Sequence, residues 1–487
     1  MKRLLSVILA ITLLLTAFSA FAESAGTPPG EPPEGFGNGT PPGEPPEGFG
    51  DGNPPGEPPE GSGNGTPPGG FGGGTPPGSG ASDVNYTAAT EINADSDLKT
   101  RISETYSSDT SDENALLLTK AGITIDSPTV IKTGDSSGGD NCSFYGLNAA
   151  VLIKDGADVV ITGGIIESSA NGANAVFCYG GNGGSNGAEG DGTTLHIENT
   201  VITTTGDGSG GIMTTGGGIT FAENLTVTTS GRSSAAIRTD RGGGTVSVDG
   251  GTYTTNGLGS PAIYSTADVT VKNATLISNM SEGVCIEGKN AITLENCDLT
   301  ANNTRCNGHA TFLDSIMIYQ SMSGDADSGT SSFTMTGGSL TSLSGHMFHV
   351  TNTHAVITLS GVNLVNEGSD VFLSVCDDGW SGASNTAELI ADAQALAGAI
   401  LVGDDAVLTL TLKNSSSFEG YINGEITNAA GDRVSENIGT VSVSVDETST
   451  WILTADTYIT DFSGNAANII SNGYTLYVNG AALEGTN

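Results

Sequence analysis

The sequence predicts an all-β repeat fold, in which short strands from successive turns of the chain stack on one another. From about residue 115 onward, similar segments recur roughly every 21 to 41 residues, which indicates a repeat architecture. Within each segment, apolar and polar residues alternate over four or five positions, as in strands with one buried face. An Asn or Gly follows at a fixed offset, where tolerance of left-handed backbone lets the chain turn sharply.

Two strand units alternate along the repeats. The first reads apolar-Thr-apolar-x-(Asn or Gly)-x-x-apolar, as in residues 269–276, 292–299 and 333–340. The second is a short apolar run, as in residues 175–178 and 262–265. Three short strands per rung, repeated over about twelve rungs, describe a right-handed parallel β-helix.

The β-helix is assigned to residues 83–487. Residues 83–114 are expected to cap its N-terminal end, because an unpaired rung invites edge association. Residues 376–402 are expected to form an insertion, in which residues 387–398 are the best helix candidate of the mature chain. Residues 403–487 then form the C-terminal rungs.

The first 22 residues indicate a secretory signal peptide. Lys2 and Arg3 precede an apolar run that is too short for a typical membrane span, and Ala20-Phe21-Ala22 forms a small-residue cleavage site. We therefore expect an extracellular protein, secreted or at the cell surface, whose mature form is not inserted in a membrane.

Residues 23–82 are expected to be a disordered, Pro/Gly-rich linker. A 13-residue unit that begins at Thr27 recurs from Thr40 and then decays into shorter pieces. Paired prolines favour extended polyproline II, glycines loosen the chain, and glutamates keep it solvated. The segment is interpreted as a spacer, and the alternative is a docking segment that uses Phe36, Phe49 and Phe71.

The net charge restricts the partners of the chain. Its 54 Asp and Glu against 15 Lys and Arg leave a formal charge of −39. A polyanion does not neutralise nucleic-acid phosphates, and an anionic membrane surface repels it. This charge is compatible with binding of calcium or of neutral glycans, or with a role in solubility alone.

The cysteines do not indicate a disulfide scaffold. Six of them are spread over more than 230 residues, and no Cys-x-x-Cys pair of a zinc site occurs. Most are expected to be small buried residues, although Cys297 and Cys306 could bridge a short loop.

The strand columns resemble those of pectate-lyase-like β-helices. The resemblance includes a ladder of asparagines at the turn between the second and third strands, formed by Asn199, Asn273, Asn296 and Asn414. The pattern, which covers nearly all of residues 115–487, also resembles exported adhesin-like repeat proteins of anaerobic bacteria. The resemblance implies the fold, and it implies a carbohydrate-active face outside the strands of the second unit. The resemblance does not assign a catalytic role to any residue of this chain.

The strands of the second unit supply a candidate binding face. If Ile237 and Ile263 point inward, the next residue of each strand points outward. That outward column is unusually apolar, and large exposed apolar patches usually mark contact sites. It is interpreted either as a surface covered by loops or as an aromatic strip for sugar rings or a partner protein, with the candidate residues Phe177, Met213, Arg238, Tyr264, Phe348 and Phe372.

The first unit supplies a second outward column, which is rich in threonine. Threonine suits the solvent face of a strand because its Cβ is branched. A flat threonine array would resemble ice-binding solenoids, but His196 and Val160 interrupt the column and a paired threonine column is missing. The column is therefore interpreted as an ordinary solvent face that includes Thr220, Ser247, Thr270 and Thr293.

Acidic loops supply candidate calcium sites. Asp325 and Asp327 lie one residue apart in a Gly-rich segment, as calcium ligands often do, and Asp377 and Asp378 form a second cluster. Carboxylate repulsion on so acidic a chain would favour uptake of Ca²⁺, which is the one cofactor considered.

Catalytic signatures are scarce. A calcium-dependent lyase needs metal-binding carboxylates and a Lys or Arg as base on the same face. Arg238, Asp240 and Arg241 form the only mixed basic and acidic cluster on a suitable strand. The polygalacturonase signature and the His-Glu-x-x-His helix do not occur.

The sequence thus predicts a non-enzymatic, adhesin-like β-helix that binds a glycan or a surface partner along an elongated face. The first alternative is a calcium-dependent polysaccharide lyase that acts on an acidic polysaccharide. The second is a purely structural surface spacer.

Overall fold

The computed structural model describes residues 84–183, 189–321 and 323–487. These residues form the parallel β-helix that the sequence predicts, because nearly all regular structure is β-strand and the strands pair in parallel along the chain. The predicted signal peptide (1–22) and linker (23–82) lie outside the described residues.

The strands of successive rungs stack into three ladders, and the strands are numbered here in chain order. Ladder 1 is a sheet of fifteen strands, in which each strand pairs with its equivalents in the neighbouring rungs. Its strands are β1 (Thr87–Ile92), β4 (Glu113–Leu118), β7 (Val151–Ile153), β10 (Val176–Tyr179), β13 (Ile212–Thr215), β15 (Ile237–Thr239), β17 (Ile263–Ser265), β20 (Val284–Glu287), β23 (Asp314–Tyr319), β26 (His346–Thr351), β29 (Val371–Val375), β31 (Ala395–Val402), β33 (Ser417–Asn423), β37 (Thr450–Leu453) and β40 (Ile469–Ile470).

Ladder 2 follows ladder 1 in every rung and also pairs in parallel. Its strands are β2 (Thr100–Ile102), β5 (Ile123–Asp126), β8 (Asp158–Thr162), β11 (Thr194–Glu198), the first halves of β14 (Gly218–Thr229) and β16 (Gly244–Thr255), β18 (Asp268–Lys272), β21 (Ala291–Glu295), β24 (Thr330–Thr336), β27 (His354–Ser360), β30 (Thr386–Asp392), β32 (Val407–Lys413), β36 (Thr440–Val445) and β39 (Asp461–Gly464).

Ladder 3 completes each rung in the N-terminal and central part of the rod. Its strands are β3 (Thr105–Ser108), β6 (Thr129–Lys132), β9 (Ile165–Ser168), β12 (Val201–Thr204), the second halves of β14 and β16, β19 (Thr275–Ser278), β22 (Asp298–Ala301), β25 (Ser339–Ser342) and β28 (Asn363–Asn366). Beyond β28, the long strands β31 and β33 pair with each other over seven positions.

Few elements lie outside the ladders. They are the helix α1 (Asp140–Phe144), a 3₁₀ turn (Ala466–Asn468), the antiparallel pair β34 (Ile426–Thr427) and β35 (Arg433–Ser435), and a small sheet of β38 (Thr457–Ile459), β41 (Leu476–Val478) and β42 (Ala481–Ala482). No helix in the described part of the chain is long and apolar enough to cross a membrane.

The turn between ladders 2 and 3 has the geometry that the sequence predicts. Asn199, Asn273 and Asn296 lie in this turn, and Asn414 lies in the equivalent turn between β32 and β33, beyond the end of ladder 3. All four have φ between 52° and 58°, in the left-handed region. Equivalent turns use glycine, as at Gly163 and Gly361, which has no Cβ to clash there. The predicted asparagine ladder is therefore confirmed.

The ladders enclose one hydrophobic core that runs along the rod. Ile237, Ile263 and Val284 lie in register in ladder 1, and each is fully buried, as the sequence predicts. Buried serines serve the turns between ladders 3 and 1: the Ser234 hydroxyl accepts a hydrogen bond from the Ser209 amide, and the Ser260 hydroxyl accepts one from the Ser234 amide, both at 2.9 Å. These bonds give a hydrogen-bond partner to backbone amides that would otherwise be buried without one.

Several boundary predictions need correction. The predicted helix at 387–398 is wrong, because these residues belong to β30 and β31. Ala387, Leu389 and Ala391 alternate inward and pair with the strand of the preceding rung, so tertiary packing overrides the helical propensity of alanine. Of the predicted cap, residues 84–114 are described and supply strands to all three ladders, and ladder 1 has fifteen strands where about twelve rungs were expected.

All six cysteines are free and five of them are buried, so the expectation of small buried residues is confirmed and the alternative of a bridge between Cys297 and Cys306 is wrong. Cys297 lies in the central core, whereas the thiol of Cys306 donates to the carbonyl oxygen of Phe312 in a loop outside ladder 1, at 3.3 Å.

Candidate functional site

The outer face of ladder 1, where the sequence suggests an exposed strip, is covered. Leu152, Phe177 and Met213 point outward as expected, but each is at most 1% exposed. They form a second hydrophobic cluster with Phe144 and Tyr145, which come from the segment that contains α1. Of the two interpretations, the cover by loops is correct for these residues.

Specific hydrogen bonds fasten this cover to the ladder. The hydroxyl of Thr215 donates to the carbonyl oxygen of Phe144 at 2.7 Å. The amide of Asn114 donates to the carbonyl oxygens of Gly146 and Ala149, at 2.9 and 3.0 Å. The segment is thus an integral part of the fold.

The candidate catalytic residues come together under a neighbouring part of the cover. Arg238 forms an ion pair with Asp240 at 2.7 Å, and its guanidinium lies 5.7 Å from the centre of the Tyr264 ring. Arg241 forms an ion pair with Asp325 at 2.5 Å. Burial raises the pKa of Asp240 to about 6, although Arg238 acts in the opposite direction. Both arginines are thus held in ion pairs, and neither is available as the base that a lyase needs.

The acidic residues predicted to bind calcium have other partners. Asp325 faces Arg241, and Asp327 lies 2.9 Å from the ammonium group of Lys289. One carboxylate oxygen of Asp378 accepts backbone hydrogen bonds from Thr311 and Gly379, both at 2.7 Å. Asp377 accepts a hydrogen bond from Asn385 at 2.5 Å.

Nowhere in residues 84–183, 189–321 or 323–487 do three or more His, Cys, Asp or Glu side chains meet in a way that could hold a metal ion. Asp325, Asp327, Asp377 and Asp378 thus each contact other protein groups, and calcium binding at these residues stays a prediction.

The two C-terminal members of the predicted strip point the other way. Phe348 pairs with Ile316 and Leu373, and it lies in the central core with Phe372, at a ring separation of 5.4 Å. A register irregularity between Val371 and Leu373 accounts for the inward orientation of the Phe372 side chain, because a shift of one residue moves a side chain to the opposite face of the strand. Their assignment to an outer face is wrong.

A buried relay of hydroxyl, imidazole and carboxylate groups lies outside ladder 1 near these strands. The hydroxyl oxygen of Ser374 is 2.8 Å from Nδ1 of both His346 and His349, and Nε2 of His349 is 3.3 Å from a carboxylate oxygen of Asp378. Ser374 and His349 are fully buried, and the ring of Phe312 stacks on His349 at 4.5 Å. The order of groups is that of a catalytic triad, but the protein encloses Ser374 completely, so the relay is interpreted as structural.

The outer face of ladder 2, in contrast, is open. Its outward column runs in register through Val160, His196, Phe221, Ser247 and Thr270. These five residues form the floor of an open groove of about 760 Å³, which we call the ladder-2 groove. The column continues beyond the groove as the threonine column that the sequence predicts.

Phe221 and His196 form an exposed aromatic ledge on the floor of this groove. Their ring centroids lie 4.8 Å apart at an interplanar angle of 13°, and Phe221 is 42% exposed. Because the two strands are hydrogen-bonded neighbours, the stacking follows directly from the register of β11 and β14. A flat aromatic surface of this kind offers stacking to an apolar ring face of a ligand.

The rung that carries Phe221 has an inverted polarity. Thr220 pairs with Leu195 and Val246 in the inward column and is 1% exposed, so its predicted outward position is wrong. Its buried hydroxyl lies 2.7 Å from that of Thr214 and is thereby satisfied. A polar residue inside and a phenylalanine outside is the reverse of what stability favours, and such local conflicts are expected at functional sites.

Sequence reasoning located part of this site. His196 and Val160 stand out because they break the threonine column, but Phe221 was missed because the apolar residue Ile219 was aligned with the inward column. The signal that could have revealed it is the pairing of His196 with Phe221, which follows once Leu195 and Thr220 are aligned.

Acidic side chains line the rim of the groove. Glu198, Glu223 and Asp249 lie in register on one side, and we call them the acidic row. Asp158 lines the groove as well. Lys272 is the one lysine or arginine of the lining, and it lies in register with Asp249.

No family model, curated protein or solved structure matches the chain.

Proposed function

We propose that this protein is a non-enzymatic, adhesin-like β-helix that binds a glycan through the ladder-2 groove. The observation that supports the proposal most directly is the exposed ledge of His196 and Phe221, which lies in a region where Thr220 occupies the buried position of its strand. Solvent-facing strands normally carry polar residues, and an exposed aromatic pair in a groove provides the stacking surface that sugar rings need.

The shape of the groove suits an extended chain. Its floor spans five strands of ladder 2, from β8 to β18, and neighbouring strands lie ~4.8 Å apart. This step is close to the length of one pyranose unit, so successive sugars of a linear glycan would meet equivalent positions of successive rungs. Hydroxyl and carboxylate groups along the floor and rim would accept and donate the hydrogen bonds that fix their orientation.

A binding function fits the contacts better than a lyase. Arg238 and Arg241 are engaged by Asp240 and Asp325 beneath the cover of ladder 1, and neither lines the ladder-2 groove. The export predicted from the first 22 residues would bring the groove into contact with extracellular or cell-surface glycans.

The test is binding of the purified protein to a glycan array, followed by calorimetric titration with the best linear oligosaccharide. We expect Phe221→Ala to weaken binding by at least about tenfold, because it removes the ledge. The matched control is Tyr458→Ala, since Tyr458 is 47% exposed and stacks on Tyr477 at 4.9 Å in the small C-terminal sheet.

Binding that survives Phe221→Ala but is lost in Tyr458→Ala would overturn the assignment of the groove. Formation of an unsaturated product from an acidic polysaccharide would favour the lyase. An array without any bound glycan would contradict the proposed function and leave the structural spacer.

A further inference from the structure

We propose that the ligand of the ladder-2 groove is a polycationic glycan, a linear chain of amino sugars whose ammonium groups are free. This inference rests on the proposed glycan-binding function and narrows it to one chemical class. It follows from charge complementarity at the rim, which is a separate feature from the aromatic ledge on the floor.

The acidic row is not neutralised by the protein. Glu198 pairs in register with Glu223, and Glu223 with Asp249, so the three carboxylates repeat with the strand spacing of ~4.8 Å. In the described part of the chain, none of the three takes part in an ion pair. Like charges at this spacing repel one another, and a ligand with regularly spaced cations relieves that repulsion.

Lys272 follows Asp249 in register and so borders the acidic row, but it leaves Glu198 and Glu223 without a counter-charge. The ammonium group of Lys272 forms an ion pair with Glu295, the next residue of its column, at 2.9 Å. Asp158 adds a further carboxylate to the lining. The groove is therefore markedly anionic, on a chain whose formal charge is already −39.

Only one class of glycan matches both the rim and the floor. An acidic polysaccharide is repelled by the acidic row, and a neutral one leaves its carboxylates without a counter-charge. A lysine-rich peptide supplies charge but no flat ring face for the ledge of His196 and Phe221. An amino sugar carries both groups on one ring, a CH face that can stack on the ledge and an ammonium group that can pair with a carboxylate.

The experiment compares two oligosaccharides with the same backbone, a glucosamine hexamer and its fully N-acetylated, uncharged form, by calorimetry at low and high salt. The intact protein is compared with the double variant Glu198→Gln/Glu223→Gln. The matched control is Glu167→Gln/Glu419→Gln, which makes the same charge change at two exposed glutamates that do not line the groove.

We expect the intact protein to bind the glucosamine hexamer at least about tenfold more tightly than the N-acetylated form, with a preference that salt weakens. The groove variant should lose most of this preference while its affinity for the N-acetylated hexamer stays unchanged. The control variant should behave like the intact protein.

Three results would overturn the inference, and they are distinguishable. Equal binding of both hexamers would refute the preference for amino sugars and leave the glycan-binding groove intact. Failure of both hexamers and of every other glycan would refute the proposed function itself. A lysine hexamer that binds as tightly as the glucosamine hexamer, with the same loss in the groove variant, would show that the groove selects charge alone.

Discussion

The outer faces of ladders 1 and 2 are built from the same alternation, yet one is buried and the other is open. Phe177 on ladder 1 is fully buried, whereas Phe221 on ladder 2 is 42% exposed. The two residues are both aromatic, and both point away from the central core. The comparison teaches that period-two alternation determines which way a side chain points, but not what lies above it.

The difference originates in the turns. Between ladders 2 and 3 the chain turns within a few residues, at positions such as Asn199 and Asn273, and leaves nothing to fold over the neighbouring faces. The connections that flank ladder 1 are longer in several rungs, and they carry α1, the loop with Phe312 and the pair β34–β35. Their apolar side chains pack on the outer face of ladder 1.

The largest effect predicted from this comparison concerns stability. We expect Phe177→Ala to lower the free energy of unfolding by about 3–5 kcal/mol, because it leaves a cavity between ladder 1 and its cover. Phe221→Ala removes the same side chain from an open face and should cost about 1 kcal/mol or less. Urea denaturation followed by circular dichroism measures both.

Similar losses in the two variants would contradict the contrast between a covered and an open face. A change in the dependence of the unfolding free energy on urea would instead indicate that the cover detaches separately.

A smaller effect is expected from pH, and it is specific to the covered face. Burial lowers the pKa of His346 from 6.5 to about 3, and neighbouring His349 adds to this lowering. Between these values the unfolded chain binds a proton that the folded chain does not, so stability is lost as pH falls below about 6.5.

The loss amounts to at most about 1.4 kcal/mol per pH unit, or about 2 kcal/mol between pH 6.5 and 5. His346→Gln should remove this contribution, because glutamine does not titrate. Unfolding free energies of the two proteins at pH 7 and pH 5 give the difference, and an identical pH dependence would contradict the buried position of His346.

The fold could be predicted from the sequence because its rules are local. Alternation of apolar residues and the left-handed turn at Asn199 or Asn414 recur in rung after rung, so each instance supports the others. The prediction failed where one rung departs from the pattern. The alanines of β30 and β31 suggested a helix, and the irregularity near Val371 reversed the orientation of Phe372.

The candidate site was predictable only in part. The break in the threonine column at His196 is visible in the sequence, but the partnership of His196 with Phe221 depends on pairing across residues 25 positions apart. Likewise, the pairing of Asp325 with Arg241 joins residues 84 positions apart, and no local pattern specifies it. Tertiary contacts of this kind decide which outward residues stay exposed.

The most direct test of the account is hydroxyl-radical footprinting of the intact protein, read out by mass spectrometry. Methionine is intrinsically more reactive toward oxidation than phenylalanine. Met213 can therefore be oxidised more slowly than Phe221 only if the burial of Met213 outweighs this difference in reactivity. We expect Phe221 and His196 to be oxidised readily, while Met213 and Phe177 stay protected until the chain unfolds. Oxidation of Met213 in the folded protein faster than that of Phe221 would show that ladder 1 is the open face and would contradict the account.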